Sequence, residues 1–394
     1  MNRPRLGMTA AVGALLAGAM SGHVLYPAWL AWRTRGRRAS GTAGTAPPGP
    51  GAWPELTVLV PAYREAGVIA GKVEDLRCNG YPGSLEVVVI ADGDPETAAS
   101  AERAGARVLS SPQRLGKAQA LNWGFAEADT PIVVISDANN RIAPGSLAFL
   151  AEHFGDVRVG AVTGEKIEDD GGGGESLYWR FESWLKQRED RLGTTIGLVG
   201  ELSAIRSEAW RPIPRGVSTD DLWAALDVME QGYRIAYEPR ARALDPPAGS
   251  LAAQWERRTR IVSGALQVLS RRRRQLHPSA GLVAAELWGH RGVRVTISPL
   301  SHLALLALSA TKVRSSALAR VFLLANLCAC AGLVVANRAG APPEQNAFAA
   351  TPRRLVVAAS AGAGHIMFLQ AVALGGMVRY ARGDRPTMWS TVER

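Results

Sequence analysis

An apolar run that ends in an acidic and an amide side chain constrains the fold of this chain most. Ile132 to Ile135 are all β-branched, which is typical of a strand buried on both faces. Asp137 and Asn139 follow it two positions apart, so their side chains point the same way. In an open α/β sheet, ligands bind at the carboxyl ends of the strands. A strand that ends in a simple turn is the alternative, since Asp and Asn favour turns.

Strand and helix patterns alternate through the middle of the chain. Strands are predicted at Leu56–Pro61, Leu85–Ala91, Ala106–Ser110, Pro131–Ser136 and Gly160–Ile167. Helices are predicted at Glu65–Arg77, Glu96–Ala104, Gly116–Glu127, Glu175–Leu192 and from Asp220 onward. This alternation predicts an α/β fold, with a mostly parallel sheet covered by helices on both faces.

The N-terminal segment predicts a membrane anchor. Met8 to Trp32 is a 25-residue stretch without Asp, Glu, Lys or Arg, long enough to span a bilayer. Four arginines follow it between residues 33 and 38, against Arg3 and Arg5 on the other flank. This bias predicts that the following domain is cytoplasmic. A cleaved signal peptide is the alternative, but its apolar core would be unusually long.

The last hundred residues predict further membrane segments. Candidates are Val295–Thr311, which is marginal in length, and Leu318–Asn337 and Leu355–Val378, which are long enough to span. If Val295–Thr311 lies at the membrane interface and the other two cross, the arginine-containing C-terminal tail is cytoplasmic. The chain is therefore predicted to be a multi-pass inner-membrane protein.

The excess of 45 basic over 35 acidic residues indicates anionic partners. Arg271 to Arg274, just before the C-terminal membrane segments, suits anionic lipid headgroups. No nucleic-acid-binding motif accompanies the charge, so a nucleic-acid partner is not expected. Three cysteines, two of them inside an apolar segment, indicate neither a disulfide framework nor a zinc site.

Five regions follow from these patterns. They are an anchor at 1–38, a linker at 39–54, an α/β domain at 55–245, basic interfacial helices at 246–294 and a membrane region of two or three helices at 295–394. The glycine run at 171–174 is a loop without the Gly-Lys-Ser/Thr ending of a phosphate-binding loop.

Carboxylates stand at three positions where the predicted sheet would gather them. Asp92 ends one strand, Asp137 follows another, and Asp220 with Asp221 opens a helix. The last two also suit helix capping and the positive end of the helix dipole. As neighbouring like charges, however, they would raise the pKa of one member and make it a better general base.

The order of these motifs resembles family 2 glycosyltransferases, inverting enzymes with a GT-A fold that use nucleotide-diphosphate sugars. The resemblance covers Val58 to about Gln267. Its motifs are Val58-Leu-Val-Pro-Ala-Tyr-Arg-Glu65, Ala91-Asp-Gly-Asp94, Leu115-Gly-Lys-Ala-Gln-Ala-Leu-Asn122, Asp137-Ala-Asn139 and Thr219-Asp-Asp221. Ala91 stands where the family has a first Asp, and Asn139 where it has a second metal-binding Asp. The membrane-bound relatives include cellulose and hyaluronan synthases and bacterial exopolysaccharide enzymes.

The resemblance implies roles for individual residues. The residues implied in nucleotide-sugar binding are Pro61, Tyr63, Glu65, Asp92, Lys117 and Asp137. Asp221 is the implied base and Asp220 its neighbour. Asp137 and Asn139 are the implied ligands of a divalent cation, Mg²⁺ or Mn²⁺, and oxygen donors of this kind suit such an ion.

The resemblance also implies an acceptor side and a phosphate-neutralising segment. Gly200 lies in the segment expected beneath the acceptor sugar, and Tyr178, Trp179 and Glu182 are expected on the same side. The two aromatic residues are equally well explained as core packing. Arg257, Arg258 and Arg260 occupy the region of the Gln-x-x-Arg-Trp motif of processive members, but the Trp is missing. They would neutralise the leaving diphosphate, or alternatively form a basic interfacial helix.

The expected function is transfer of a sugar, from a uridine-type donor, to a membrane-associated acceptor such as a lipid-linked or polysaccharide chain in exopolysaccharide or cell-envelope synthesis. One alternative is transfer to polyprenyl phosphate. A second, non-enzymatic alternative is a membrane-bound sugar-nucleotide sensor or inactive partner subunit, suggested by Ala91 and Asn139.

Overall fold

The computed structural model describes residues 3–37, 49, 52–168, 174–246, 250–339 and 352–384. They form two compact units. The sheet unit contains residues 33–168 and 182–246 within this range, and the helical unit contains residues 3–32, 174–181 and 250–384. The predicted linker at 39–54 and the glycine run at 171–174 fall almost entirely outside the described residues.

The sheet unit is an eight-stranded sheet with helices between its strands. Its strands are β1 (Leu56–Ala62), β2 (Leu85–Asp92), β3 (Arg107–Ser111), β4 (Ile132–Ile135), β5 (Arg141–Ile142), β6 (Val159–Glu168), β7 (Ser203–Arg206) and β8 (Arg234–Asp245). The helices of this region, counted after two N-terminal helices described below, are α3 (Ala66–Arg77), α4 (Pro95–Arg103), α5 (Lys117–Ala126), α6 (Ser146–Glu152), α7 (Gly174–Leu192, which begins in the helical unit) and α8 (Asp220–Glu230).

The strand order across the sheet is β3-β2-β1-β4-β7-β6-β8-β5. The first four strands are parallel, β7 is antiparallel to both β4 and β6, and β8 is parallel to β6. Consequently, the carboxyl ends of β1, β2, β4, β6 and β8 and the amino end of β7 meet at one edge. The expected α/β fold with a mostly parallel sheet is confirmed.

Burial explains why the sequence patterns identified the first strands. Every residue of β1 and β4 is buried, as their continuous apolar sequences predicted. All predicted strands, and all helices for which both ends were predicted, are present with ends within one residue of the expected positions. Sequence patterns did not identify β5, β7, β8 or α6. β5 and β7 are very short, whereas β8 carries exposed charged residues and a proline.

The helical unit contains the two N-terminal helices and those that follow the sheet unit. They are α1 (Arg3–Met20) and α2 (Tyr26–Arg33), joined by a π-helical turn, then α9 (Leu251–Arg271), α10 (Leu282–Glu286), α11 (Val293–Val295), α12 (Ile297–Lys312), α13 (Ala317–Ala339) and α14 (Pro352–Ala381).

Small residues bring these helices close together. A Cβ atom on Gly18 of α1 would lie 2.2 Å from the Ser301 hydroxyl of α12, and one on Gly364 of α14 would lie 2.2 Å from the Ala329 carbonyl oxygen of α13. The Ser298 hydroxyl donates to the carbonyl oxygens of Gly18 and Ala19 at 3.2 and 3.0 Å. Close approach at glycine and serine is typical of helix packing in membranes.

Three helical stretches among the described residues are long and apolar enough to cross a membrane. They are Ala10–Arg33, Leu282–Lys312 and Ala317–Val335. The second is much longer than the marginal segment predicted from the sequence, Val295–Thr311, because α10, α11 and α12 follow one another almost without interruption. By length and composition it qualifies as a span rather than only as an interfacial helix.

Candidate active site

The strand topology brings the predicted site residues of the sheet unit to one edge. Tyr63 follows β1, Asp92 ends β2 and Asp137 follows β4, which are adjacent parallel strands. The residue pair Ile135 and Ser203 joins β4 to β7, so the segment before β7, which contains Gly200, reaches the same edge. The edge therefore gathers residues that lie up to 137 positions apart in the sequence, from Tyr63 to Gly200.

Asp92 supports the loop that leads into α5. Its side chain is fully buried, and its two oxygens accept hydrogen bonds from the backbone N–H groups of Leu115 and Gly116, at 2.5 and 2.9 Å. Gly116 has a φ of +85°, a conformation that glycine adopts readily. Asp92 therefore fixes the start of α5, and a direct contact with a nucleotide remains a prediction for this residue.

Lys117, the first residue of α5, forms an ion pair with Asp137. The Lys117 Nζ lies 2.5 Å from Asp137 Oδ1, and both side chains are partly exposed. A Cβ atom on Gly200 would lie 3.1 Å from the same Nζ, so a larger residue there would crowd the ammonium. Lys117, Asp137 and Gly200 therefore lie close together, while their roles in binding stay predictions.

Several carboxylates act on the Lys117 ammonium. Burial disfavours the charged form of Lys117, but Asp137 and Asp220 outweigh it and raise the pKa of Lys117 above its ordinary value, with a smaller contribution from Glu201. Burial also raises the pKa of Asp137; Lys117 opposes this increase, and the charges of Glu201 and Asp220 add to it. Asp137 and Asp220 thus act together on the Lys117 ammonium, and Asp137 is in direct contact with it.

Buried polar contacts hold the turn that carries Asp137 and Asn139. The Asn140 side-chain amide donates to the Glu201 carbonyl oxygen at 3.0 Å, and the Ser136 hydroxyl donates to the same oxygen at 3.1 Å. The buried Lys72 ammonium of α3 donates to the Asn140 Oδ1 at 2.6 Å. Asn139 itself is exposed. Its amide oxygen therefore remains accessible, whereas Asn140 anchors the turn.

Asp220 and Asp221 begin α8 and line a pocket at this edge. The pocket encloses about 280 Å³, including space open to solvent. Its wall is otherwise apolar or small and includes Gly200, Leu121, Ile135, Trp210, Ile213 and Ala224. One Asp221 oxygen accepts a hydrogen bond from the Leu222 N–H at 2.7 Å, within the first turn of the helix. Both carboxylates therefore border the pocket, and Asp220 is the one whose charge acts on Lys117 and Asp137.

The residues predicted to seat the nucleobase lie at the end of β1. The Arg114 guanidinium lies 3.7 Å from the centre of the Tyr63 ring, and Arg64 packs against this ring at 5.3 Å. A Glu65 carboxylate oxygen accepts a hydrogen bond from the Tyr63 N–H at 3.3 Å, whereas Pro61 is buried within the strand. Arg114 was not identified from the sequence, although its position three residues before Lys117 could have suggested it.

With this geometry in place, the family assignment follows from a direct comparison. Residues 57–209 match the family described as Glycosyl transferase family 2. The chain carries a family 2 glycosyltransferase domain. The resemblance proposed from the motifs is confirmed, and so is the enzyme class, glycosyltransferase.

Curated relatives of the family 2 domain include polysaccharide synthases. A poly-β-1,6-N-acetyl-D-glucosamine synthase of Staphylococcus aureus strain MSSA476 is 24% identical over 230 residues, which cover 55% of this chain and 56% of that protein. The protein of the same description from Staphylococcus epidermidis is 23% identical over a region of the same extent. The chain thus spans a little more than half the length of these relatives.

A solved structure resembles the chain over nearly its whole length. A mannosyltransferase from Pyrobaculum calidifontis, solved in complex with GDP-mannose and Mn²⁺, has a TM-score of 0.70 at 24% identity and covers 94% of this chain and 98% of its own. At this identity the similarity shows the fold alone. The fold of the family 2 domain is GT-A, as predicted.

Several buried charged residues of the family 2 domain were not found from the sequence. Lys166 is fully buried in β6 and forms ion pairs with Glu201 and Asp245, both at 2.6 Å. These residues belong to different strands and loops, and no local motif links them. Their only sequence signal was an isolated lysine in an otherwise apolar strand pattern.

The predicted acceptor-side and arginine residues fall mostly in the helical unit. Tyr178, Trp179, Arg257, Arg258 and Arg260 belong to that unit, whereas Glu182 belongs to the sheet unit and is buried there. The buried Arg258 guanidinium lies 4.1 Å from the centre of the Tyr178 ring, and the Arg294 guanidinium lies 5.7 Å from it. Contact of these residues with a sugar or a diphosphate stays a prediction.

Proposed function

We propose that this glycosyltransferase moves a sugar from a nucleotide-diphosphate sugar, of the uridine type, to a membrane-associated acceptor with inversion at the anomeric carbon. One observation carries the proposal. The pair of carboxylates that opens α8 lines a single pocket with Gly200, and Gly200 adjoins the ion pair of Lys117 with Asp137. A candidate base and a candidate diphosphate site thus border the same space.

The donor atoms at this edge suit a divalent cation. Asp137 and the exposed Asn139 supply a carboxylate and an amide oxygen, and the negative charge of Asp220 acts on the same carboxylate. Among the described residues, no group of three or more His, Cys, Asp or Glu side chains could hold a metal ion alone. Mg²⁺ or Mn²⁺ would therefore complete its shell with diphosphate oxygens and water, as is usual for Mg²⁺. When bound, the cation would offset charge on the leaving diphosphate.

Side chains of the protein supply proton transfer and charge neutralisation in the proposed reaction. Asp221 takes the proton of the acceptor hydroxyl as that oxygen attacks the anomeric carbon. Asp220 lies beside it at the start of α8 and lines the same pocket. Lys117 neutralises diphosphate oxygens, and Gly200 leaves room for the sugar at the pocket entrance.

The proposed acceptor is a lipid-linked glycan or a growing polysaccharide at the cytoplasmic face of the inner membrane. The candidate membrane spans and the polymer-forming activity in the names of the staphylococcal relatives support this choice. Transfer to polyprenyl phosphate is the second candidate. It is favoured by the paired guanidinium groups of Arg258 and Arg294 on the Tyr178 ring within the helical unit, which suit a lipid phosphate.

Radiolabelled sugar transfer by membranes that contain the overexpressed chain tests the proposal. UDP-linked and GDP-linked sugars are supplied in turn, with and without EDTA, and membranes with the Asp221→Asn variant are the control. We expect incorporation that EDTA and the variant abolish. Label extracted into chloroform indicates a lipid acceptor, and label retained in polymer indicates a polysaccharide. No incorporation from any donor contradicts the proposed function.

A further inference from the structure

The Lys117 ammonium contacts Asp137, the carboxylate that is proposed to bind the divalent cation. Its Nζ lies 2.5 Å from Asp137 Oδ1, which is a full charge-assisted contact. The charges of Asp220 and Glu201 also act on this ammonium, and Gly200 lies against it. Lys117 is therefore held at the centre of the acidic group rather than at its margin.

Asp137 is the only charged ligand that the chain offers in the Asp137-Ala-Asn139 motif. With Asn139 as the second donor, the whole negative charge of the motif resides on the oxygen atoms that Lys117 neutralises. A divalent cation at Asp137 would lie close to the ammonium, and the two positive charges would repel each other across a partly buried site. The cation and the present position of Lys117 thus disfavour each other.

Lys117 can leave Asp137 without a change in the backbone. Its side chain has four flexible methylene groups and is partly exposed, whereas the loop before it is fixed by the two hydrogen bonds to Asp92. A diphosphate at the same strand edge offers several anionic oxygens near the N-terminus of α5, a position that favours negative charge.

We propose that Lys117 is an internal competitor of the divalent cation for Asp137, and that the nucleotide diphosphate releases this competition by drawing the ammonium onto its own oxygens. The inference rests on the proposed function, because it concerns the same diphosphate site. It makes the binding of metal and nucleotide mutually dependent: each strengthens the other by the same factor. The metal is therefore taken up with the donor and not before it.

The alternative is that Lys117 and Asp137 form a fixed structural pair that persists when donor binds. The metal would then bind elsewhere or not at all, and removal of the ammonium would leave Asp137 without its partner but would not change how strongly nucleotide promotes metal binding. The two possibilities therefore differ in a binding measurement that requires no turnover.

A Mn²⁺ titration of the purified chain in detergent separates the two possibilities. Electron paramagnetic resonance measures the free Mn²⁺, with and without UDP. For the original chain we expect weak binding of Mn²⁺ alone and strong promotion by UDP. Lys117→Met should bind Mn²⁺ alone about tenfold more tightly, and the promoting effect of UDP should fall by a similar factor. Lys117→Arg, which keeps the positive charge, should behave like the original chain.

Two further results decide the outcome. Asp137→Asn should lose Mn²⁺ binding with and without UDP, which locates the metal at this carboxylate. If Lys117→Met binds Mn²⁺ no more tightly than the original chain, or keeps the full effect of UDP, the inference is wrong while the proposed function stands. If the original chain binds no Mn²⁺ even with UDP and with GDP, the metal site of the proposed function fails and the inference fails with it. Circular dichroism of each variant verifies folding. If Lys117→Met does not fold, Lys117→Gln, which also removes the positive charge, takes its place with the same expected results.

Discussion

At the residue scale, the adjacent carboxylates Asp220 and Asp221 differ in the groups with which they interact. Both Asp220 and Asp221 line the pocket, but the charge of Asp220 acts on the ion pair of Lys117 with Asp137, whereas an Asp221 oxygen accepts the Leu222 N–H. Asp220 is thus the carboxylate coupled to the diphosphate side of the site. The role proposed for Asp221 is to accept the proton of the acceptor hydroxyl.

This division gives a testable difference between two isosteric variants. Asp221→Asn should lower sugar transfer by about a thousandfold, since a general base contributes roughly 10²–10⁴. Nucleotide binding should change little, because the amide keeps the size of the side chain. Initial transfer rates and UDP titration by calorimetry measure the two effects. Asp220→Asn is the matched control and should retain more activity; if it is the more damaging change, Asp220 is the base.

The buried Lys72 makes the stability of the family 2 domain depend on pH. Burial lowers the pKa of Lys72 to about 8, although Asp75, Asp137 and Asp245 oppose the decrease, whereas the unfolded chain titrates near 10.5. Between these values the unfolded chain binds a proton that the folded chain does not, so stability rises with pH from about 8 to about 10.5. Below this window the cost of the buried charge is fully present.

We therefore expect the original chain to gain stability relative to Lys72→Met as pH rises from 7 to 10, by on the order of 3 kcal/mol at most. Thermal melts of both proteins in the same detergent, at a series of pH values, measure the difference. Because other groups titrate in both proteins, only the difference between their melting curves carries the effect. A difference that does not change with pH contradicts the assignment.

At the element scale, β6 makes close backbone contacts with β8 and with the segment before β7. Gly164 lies in β6 at a shift of register between β6 and β8, and its N–H donates to the Leu202 carbonyl oxygen at 3.0 Å. A Cβ atom there would lie 2.8 Å from the Ala241 carbonyl oxygen and 3.1 Å from that of Leu202. The obstacles are backbone atoms, which cannot rotate away. This glycine therefore permits β6 and β8 to place Lys166 and Asp245 at the edge of the site.

Gly164→Ala should accordingly destabilise the domain by about 1–3 kcal/mol, the usual cost of an extra methyl group in a tightly packed region. A lowered melting temperature at unchanged secondary-structure content is the expected result. Gly71→Ala in α3 is the control, because nothing lies within 4 Å of its added Cβ and alanine favours helices. That variant should be as stable as the original chain or slightly more stable. Equal effects of the two changes would mean that β6 can adjust.

At the scale of the whole molecule, several contacts within the helical unit join the carboxyl end of α14 to α9. Arg379 of α14 forms an ion pair with Glu256 of α9 at 2.7 Å, and the Tyr380 hydroxyl donates to the Ser270 hydroxyl at 2.9 Å. The Ser263 hydroxyl donates to the Asp384 carbonyl oxygen at 3.0 Å. The carboxyl end of α14 therefore lies against α9, and we expect the two on the same side of the membrane.

The arginines of the C-terminal tail predict on which side of the membrane the chain ends. Arg379, Arg382, Arg385 and Arg394 stand at or after the end of the last apolar segment, and arginine favours the cytoplasmic side. Because the α/β domain is also predicted to be cytoplasmic, we expect an even number of crossings between that domain and the C-terminal tail.

Reporter fusions after Arg394 test this topology. A green fluorescent protein fused there should fluoresce, and alkaline phosphatase fused at the same position should be inactive, since both results indicate a cytoplasmic end. The same two reporters inserted after Arg38 should behave identically, because the arginine bias places that region on the same side. Active alkaline phosphatase at the C-terminus would mean an odd number of crossings.

The sequence by itself determined the parallel half of the sheet, the identity of the family 2 domain and the candidate residues Lys117, Asp137, Asp220 and Asp221. Continuous apolar strands and short motifs at their ends are local signals, so they can be recognised without a structure. The sequence also indicated apolar segments long enough to cross a membrane, because span length is a local property.

Only the tertiary structure decided how these residues are connected. Asp92 bonds to backbone amides, Lys117 pairs with Asp137, and Lys166 joins Glu201 to Asp245, and each contact unites segments that are distant in the sequence. The sequence did not predict β7 and β8, because these strands are stabilised by their neighbours in the sheet and lack a clear strand pattern of their own. Burial and ion pairing depend on which strands become neighbours, and that is settled by packing over the whole sheet.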